Sequence, residues 1–337
     1  MLTGDDWVEI PRLCDFHAHL REGELLAYVV AHTPKVFDWV LLMPNLKRPI
    51  RTAEDMCRYR DEVLAADPPF RPLFTIYLCE DTTPRMIEEA RKAGAVAAKL
   101  YFRGVTTNST HGVGIATLKD LAPTFLAMQA CGMRLCVHAE LPGAGPMDAE
   151  SACMPYVTRL ARAYPGLQIV VEHMTTAVAV RDVMEHENMW GTITLHHLLL
   201  TFEDVLGNHD HFCKPVAKTW GDRDELVLAA ICDHPRIGFG SDNAPHLIES
   251  KSRPQGPAGI ASWRVAAPLL VEIFDGRRMI DRLDPFTHRL CKLYGVEPTE
   301  ETIRLERRSW TVPVETDPCG VQPFFAGREI SWQLVNT

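Results

Sequence analysis

The stretch Glu9-Ile10-Pro11-Arg12-Leu13-Cys14-Asp15-Phe16-His17-Ala18-His19 decides how the rest of the chain is read. Residues 9–16 read as a β-strand, and the strand runs straight into His-Ala-His. In an extended chain, side chains i and i+2 share a side, so His17 and His19 project together from the strand end. Two converging imidazoles can hold a metal. An isolated His-x-His is more often one core histidine and one surface histidine, so the remaining sequence has to supply the context.

Seven further runs share that strand character: 39–43, 73–78, 96–101, 134–137, 168–172, 191–195 and 236–240. Helix-like segments lie between them. Thr52 is placed to cap "TAEDMCRYRDEVLAA", and "TPRMIEEARKAG" has Pro84 at its first position and Gly94 just past its end. Others are "LKDLAPTFLAMQACG", "ESACMPYVTRLARAY", "TTAVAVRDVMEH" and "DRDELVLAAICDH", with Pro123 and Pro155 blurring two of the starts. Eight strands alternating with helices, without a compositional break, predict an α/β fold of the (β/α)8 TIM-barrel type. Residues 1–337 are read as one barrel domain, with 281–337 as a C-terminal extension packed on it.

Composition agrees. With 46% hydrophobic and 23% charged residues the chain can fill a large core. A net charge of -9 opposes general attraction to nucleic acid or anionic membranes, so an anionic small substrate needs a local positive cluster. No signal-peptide pattern or bilayer-spanning apolar run is present, and a soluble cytoplasmic protein is expected. The 10 cysteines, scattered and without a CxxC pair, read as reduced and mostly buried, with no metal site assigned to them.

In such a barrel chemistry sits where strands end and βα loops begin. Those positions carry His17 and His19, Asn45, Lys99, His138, His173 and Asp242. Singly, each has an ordinary structural explanation: a core histidine, a snorkelling lysine, a turn-capping aspartate. Together, four histidines, a lysine and an aspartate make a metal-ligand set opening at one face. Lys99 is the odd member, because an ammonium is repelled by cations. Reaction with carbon dioxide makes it a carbamate, an anionic ligand able to bridge two metals.

This order over strands one, four, five, six and eight resembles the amidohydrolase superfamily, and within it the single-function bacterial dihydroorotase family. The resemblance rests on "DFHAHLREG", "MPNLKRPI", "AAKLYFRGVTTNSTHGV", "VHAE", "VEHMTT", "GSDNAPH" and "GPAG", and spans Asp15 to about Gly295. It implies two zinc ions, one held by His17, His19, carboxylated Lys99 and Asp242 and the other by Lys99, His138 and His173. It implies a substrate-carboxylate site made by Arg21, Asn45 and His246, backbone contacts to the ring at Lys214 and Ala258, and a closing loop carrying Thr106 and Thr107. The implied reaction is the reversible opening of L-dihydroorotate to N-carbamoyl-L-aspartate in pyrimidine synthesis, with Asp242 as base and then acid, in a homodimer. The alternatives are a hydantoinase-like cyclic amidohydrolase and a metal-free barrel that binds a partner enzyme. Arg103, Lys214, His196 and His197 depart from the pattern or have no evident role.

Overall fold

The computed structural model describes residues 2–4 and 6–335. Two short strands open the chain, β1 (Leu2–Gly4) and β2 (Trp7–Pro11). The barrel strands follow: β3 (Leu13–Ala18), β4 (Phe37–Leu42), β5 (Arg71–Leu78), β6 (Ala97–Tyr101), β7 (Arg134–His138), β8 (Ile169–Val171), β9 (Met189–Ile193) and β10 (Ile237–Phe239). These eight are parallel, and each pairs with its neighbour in sequence. The fold is the expected (β/α)8 barrel. A second sheet takes β11 (Thr302–Thr311) and β12 (Glu329–Leu334) in the order β1-β2-β11-β12.

The first expected strand is therefore two. Residues on either side of Arg12 belong to different sheets: β2 pairs antiparallel with β11, while β3 enters the barrel. The burial records the difference, alternating along β2 and complete along β3. The seventh expected strand ends two residues early, because Thr194 caps a short helix, Leu195–Leu199, by accepting from the His197 amide. The helical punctuation holds. Thr52 and Asp55 form a reciprocal capping box on Ala53–Ala65, and Thr83 accepts from Met86 N ahead of Pro84. Pro123 lies in the first turn of Ala122–Cys131, whereas Pro155 sits inside Ala149–Ala163.

β3 has to serve two levels of the barrel. Phe16 stacks on Tyr294 with ring centroids 5.1 Å apart, in a floor cluster with Cys14, Leu41, Cys136 and Leu290. One residue later, His17 faces the mouth. The register with β4 shifts between Asp15 and Ala18, which accommodates both directions. Leu290 and Tyr294 come from the C-terminal segment, so that segment plugs the base of the barrel below the site. All ten cysteines are free thiols; six are buried and Cys232 and Cys319 are exposed.

The sheet closes between its last and first strands through backbone bonds at the very residues singled out above. Asp242 N donates to His17 O at 2.8 Å and His19 N donates to Asn243 O at 2.9 Å. Behind this seam lies Asp15, fully buried. Its carboxylate accepts from Ser241 N (2.7 Å), Ser241 Oγ, Trp263 Nε1 (2.7 Å) and His17 N (3.1 Å). Burial raises the carboxyl to about 6, and these four donors restrain the rise. Replacing Asp15 by Ala strands several buried donors at once, each lost bond costing about 1–3 kcal/mol. Urea unfolding of Asp15→Ala is expected to show a loss of roughly 2–4 kcal/mol; a loss below about 1 kcal/mol would remove Asp15 from its role in closing the barrel.

Candidate metal centre and substrate pocket

All six candidate ligands converge at the C-terminal mouth of the barrel. His17, His19 and Asp242 present one ligand atom each within 4.8 Å of one another. Asp242 Oδ1 lies 3.0 Å from His19 Nε2 and 3.5 Å from His17 Nε2. His138 Nδ1 lies 3.1 Å from His173 Nε2, and the His173 ring is 4.9 Å from that of His17. His173 and Asp242 both take positive φ, 43° and 45°, a strained conformation for non-glycine residues that is typical of functional sites.

Two buried glutamates set the histidine tautomers. His17 Nδ1–H donates to Glu172 Oε2 at 2.8 Å, and His138 Nε2–H donates to Glu140 Oε2 at 2.6 Å. The opposite nitrogens, His17 Nε2 and His138 Nδ1, are thereby left as lone pairs aimed into the mouth. Glu172 also accepts from Thr192 Oγ1 at 2.7 Å. Burial alone would raise Glu172, but the charges of His17 and Lys99 and the bonds from His17 and Thr192 hold it below its ordinary value. Burial dominates for the imidazoles: it pushes His19 down to about 4 and lowers His138 and His173. Asp242 stays low despite burial, through the His19 bond and the nearby histidines.

Lys99 is fully buried on β6, and its Nζ has no hydrogen-bond partner among the described residues. The ammonium lies 5.4 Å from the Tyr101 ring centroid. Burial lowers its pKa, against the pull of Glu172 and Asp242. A desolvated amine without a hydrogen-bond partner is unfavourable as a cation.

The same mouth holds the expected substrate residues. Arg21, Asn45, Thr106, Thr107, Lys214 and Ala258 line one cavity with the five ligands other than Lys99, and Tyr101, Ala244 and Gly259 complete it. His246 is set behind Arg21, in the adjoining outer cavity. Arg21 takes φ 67°, and its backbone carbonyl accepts from Tyr59 OH at 2.9 Å. Its Nε donates to Pro245 O at 3.0 Å and its terminal nitrogen to His246 Nε2 at 2.9 Å. A guanidinium only donates, so Nε2 is an acceptor here and sends no proton to Ala258 O, 3.1 Å away. Burial brings Arg21 down to about 10, still cationic at neutral pH.

The unexplained residues find places. Arg103 pairs with Glu80 at 2.6 Å beside the mouth. His197 Nε2–H donates to Pro215 O at 3.0 Å and Nδ1 accepts from Thr194 Oγ1 at 2.9 Å, which fixes the segment behind Lys214. His196 is fully buried with neither nitrogen partnered, and it groups with His197 and Cys213. Glu172, Glu140 and Asp15 were missed in the sequence. Their signal is present as a carboxylate adjacent to or two residues from each histidine, in "DFH", "VHAE" and "VEH".

Residues 46–258 match the family model described as Amidohydrolase. A dihydroorotase from Azoarcus sp. (strain BH72) is 38% identical, covering 95% of this chain and 97% of its own. The chain belongs to the dihydroorotase family of amidohydrolases. The crystal structure of a dihydroorotase from Saccharomyces cerevisiae in complex with 5-fluoroorotic acid superposes with TM-score 0.92 at 31% identity, over 98% of both chains. The L-hydantoinase from Arthrobacter aurescens shares the fold alone, with TM-score 0.79 at 16% identity over 97% of this chain and 83% of its own.

Membership in this family makes the chain a metal-dependent cyclic amidohydrolase, and the residues present fit a divalent metal. The mouth offers buried imidazoles, those of His17 and His138 with lone pairs aimed inward, an ionised aspartate, and an amine with no hydrogen-bond partner among the described residues. Glu172 is expected to matter through His17. Glu172→Ala removes the acceptor that fixes the tautomer, so metal affinity should fall about 10- to 100-fold in competition with a chelator. Unchanged affinity would show that the glutamate does not orient the ligand.

Proposed function

We propose that this chain interconverts L-dihydroorotate and N-carbamoyl-L-aspartate with two zinc ions, which carboxylated Lys99 would help to hold. His17, His19 and Asp242 would hold one ion, His138 and His173 the other, and the Lys99 carbamate both. The single observation that carries this reading is the buried, unpartnered Lys99 Nζ within the histidine ring. A neutral Nζ adds to the carbon of carbon dioxide and releases one proton, and the resulting carbamate replaces an isolated cation by an anion. When bound, the metal pair supplies Lewis acidity and a water acidified toward neutral pH.

The chain's own groups do the rest. Arg21 presents a planar guanidinium fork suited to the ring carboxylate, with His246 bracing it from behind and Asn45 from β4 beside it. Asn45 Oδ1 is buried without a partner, so the amide retains bonding capacity toward a ligand. Ala258 O, which receives no proton from His246, is free to accept a ring N–H. A carboxylate oxygen of Asp242 takes the proton of the attacking water and returns it to the ring nitrogen as the C–N bond breaks. Thr106 and Thr107 line the pocket, where their loop would limit the access of bulk water.

The carboxylate site favours dihydroorotate over a hydantoin, which lacks the charge Arg21 is placed to bind. The identities reinforce this, at 31% to the yeast dihydroorotase and 16% to the hydantoinase. Residues 1–337 are read as one functional unit because the C-terminal segment plugs the barrel floor. A homodimer in the cytoplasm completes the proposal, the dimer resting on the family resemblance; no helix among the described residues is long and apolar enough to cross a membrane.

Purified protein should contain about two metals per chain and hydrolyse dihydroorotate, with activity lost on chelation and restored by zinc. Full turnover by metal-free protein would overturn the mechanism. Arg21→Met should lower kcat/KM for dihydroorotate about tenfold or more with metal content intact, while slow hydrolysis of a neutral cyclic imide changes little. Equal losses on both substrates would make Arg21 architectural.

A further inference from the structure

Lys214 stands where the family resemblance led us to expect an apolar side chain, and its Nζ donates to Val105 O at 2.7 Å. Among the described residues it makes no other hydrogen bond and no ion pair. Val105 belongs to the loop between β6 and the helix at Ala122–Cys131, the loop that carries Thr106 and Thr107. That loop is braced from within. Gly104 N donates to Ser109 O, Thr106 N to Ser109 Oγ, Ser109 Oγ to Thr106 O and Gly112 N to Ser109 O, so residues 104–112 hold together as one body.

The ties of this body to the rest of the barrel are unevenly placed. Asn45 Nδ2 donates to Thr107 O, Asn108 Nδ2 to Asn45 O and Tyr77 OH, from β5, to Asn108 O, while Arg103, whose Nε donates to Gly112 O, pairs with Glu80. Asn45 follows β4 and Glu80 follows β5, both on the loop's own side of the mouth. Lys214 lies between β9 and β10, across the opening from β6. Among the described residues, its bond to Val105 is the hydrogen bond from this loop that spans the opening.

Thr107 shows what the tie controls. It borders the inner pocket and also two outer cavities, of about 570 Å³ and 390 Å³, so the loop tip is the wall between them. Lys214 itself borders the inner pocket and the larger outer cavity.

We propose that Lys214 is a positioning residue: its ammonium latches the 104–112 loop over the pocket through the Val105 carbonyl, so that Thr106 and Thr107 are in place before substrate binds. The idea deepens the dihydroorotase reading and rests on it for the substrate. With the latch, the free protein is already closed. Without it, substrate binding itself has to drive closure, and the apparent affinity falls by the fraction of closed protein lost.

The test uses metal-loaded, full-length protein and the variants Lys214→Met and Lys214→Arg. Residue 214 keeps its backbone groups in both, so only the side chain is queried. Hydrogen–deuterium exchange without substrate should show amides of 102–113 exchanging at least fivefold faster in Lys214→Met, with the barrel strands unchanged. KM for dihydroorotate should rise at least threefold with kcat within twofold, and Lys214→Arg should restore part of both effects. Unchanged exchange in the loop would overturn the latch, including the case where KM rises alone, which would mean the ammonium meets substrate directly. Faster exchange without a change in KM would overturn the positioning role, and faster exchange throughout the barrel would make Lys214 a general structural residue. Because the exchange arm needs no substrate, a wild-type protein inactive on dihydroorotate would refute the proposed reaction and still leave the latch open to test.

Discussion

Closure of the barrel and assembly of the site are one event. The seam between β10 and β3 is made by His17 O with Asp242 N and by His19 N with Asn243 O, so a chain that has not closed its sheet has no centre. Asp15 locks that seam from behind with four donors, two of them on Ser241, next to Asp242 in the chain. Residues held at positive φ, Asp242 among them, persist only where surrounding bonds over-determine them. Here the bonds that do so also close the fold.

The electrostatics follow from the same burial. Carboxylates Glu172 and Glu140 are drawn inside because the histidines they orient are there, and each satisfies a ring N–H that would otherwise be stranded. Burial keeps His19, His138 and His173 neutral, which is the state a metal requires. Lys99 is the member for which the protein supplies no partner. In a chain of net charge -9, Arg21 and Lys214 place positive charge at the mouth.

The barrel was legible from strand and helix alternation, and the six ligand candidates were legible because they fall at the ends of five of those strands. The split at Arg12 was not, since β2 and β3 are both apolar and only their partners differ. The glutamates behind the histidines were visible as letters but not as partners: nothing in "VHAE" says that Glu140 turns back to His138 Nε2. His246 reads as a ligand-binding residue four positions beyond Asp242, yet it stands behind Arg21 and holds it. Lys214 and Val105 are 109 residues apart, and only the closed barrel makes them neighbours.

Everything asked of the centre depends on the state of Lys99 Nζ. The most direct measurement is diffraction from crystals of the metal-loaded protein, with anomalous data above the zinc edge and density refined at Nζ without a carboxylate restraint. The account predicts two anomalous peaks per chain and three extra atoms on Nζ, one carbon and two oxygens, lying between the peaks. Two occupied metal sites flanking a bare amine would contradict it.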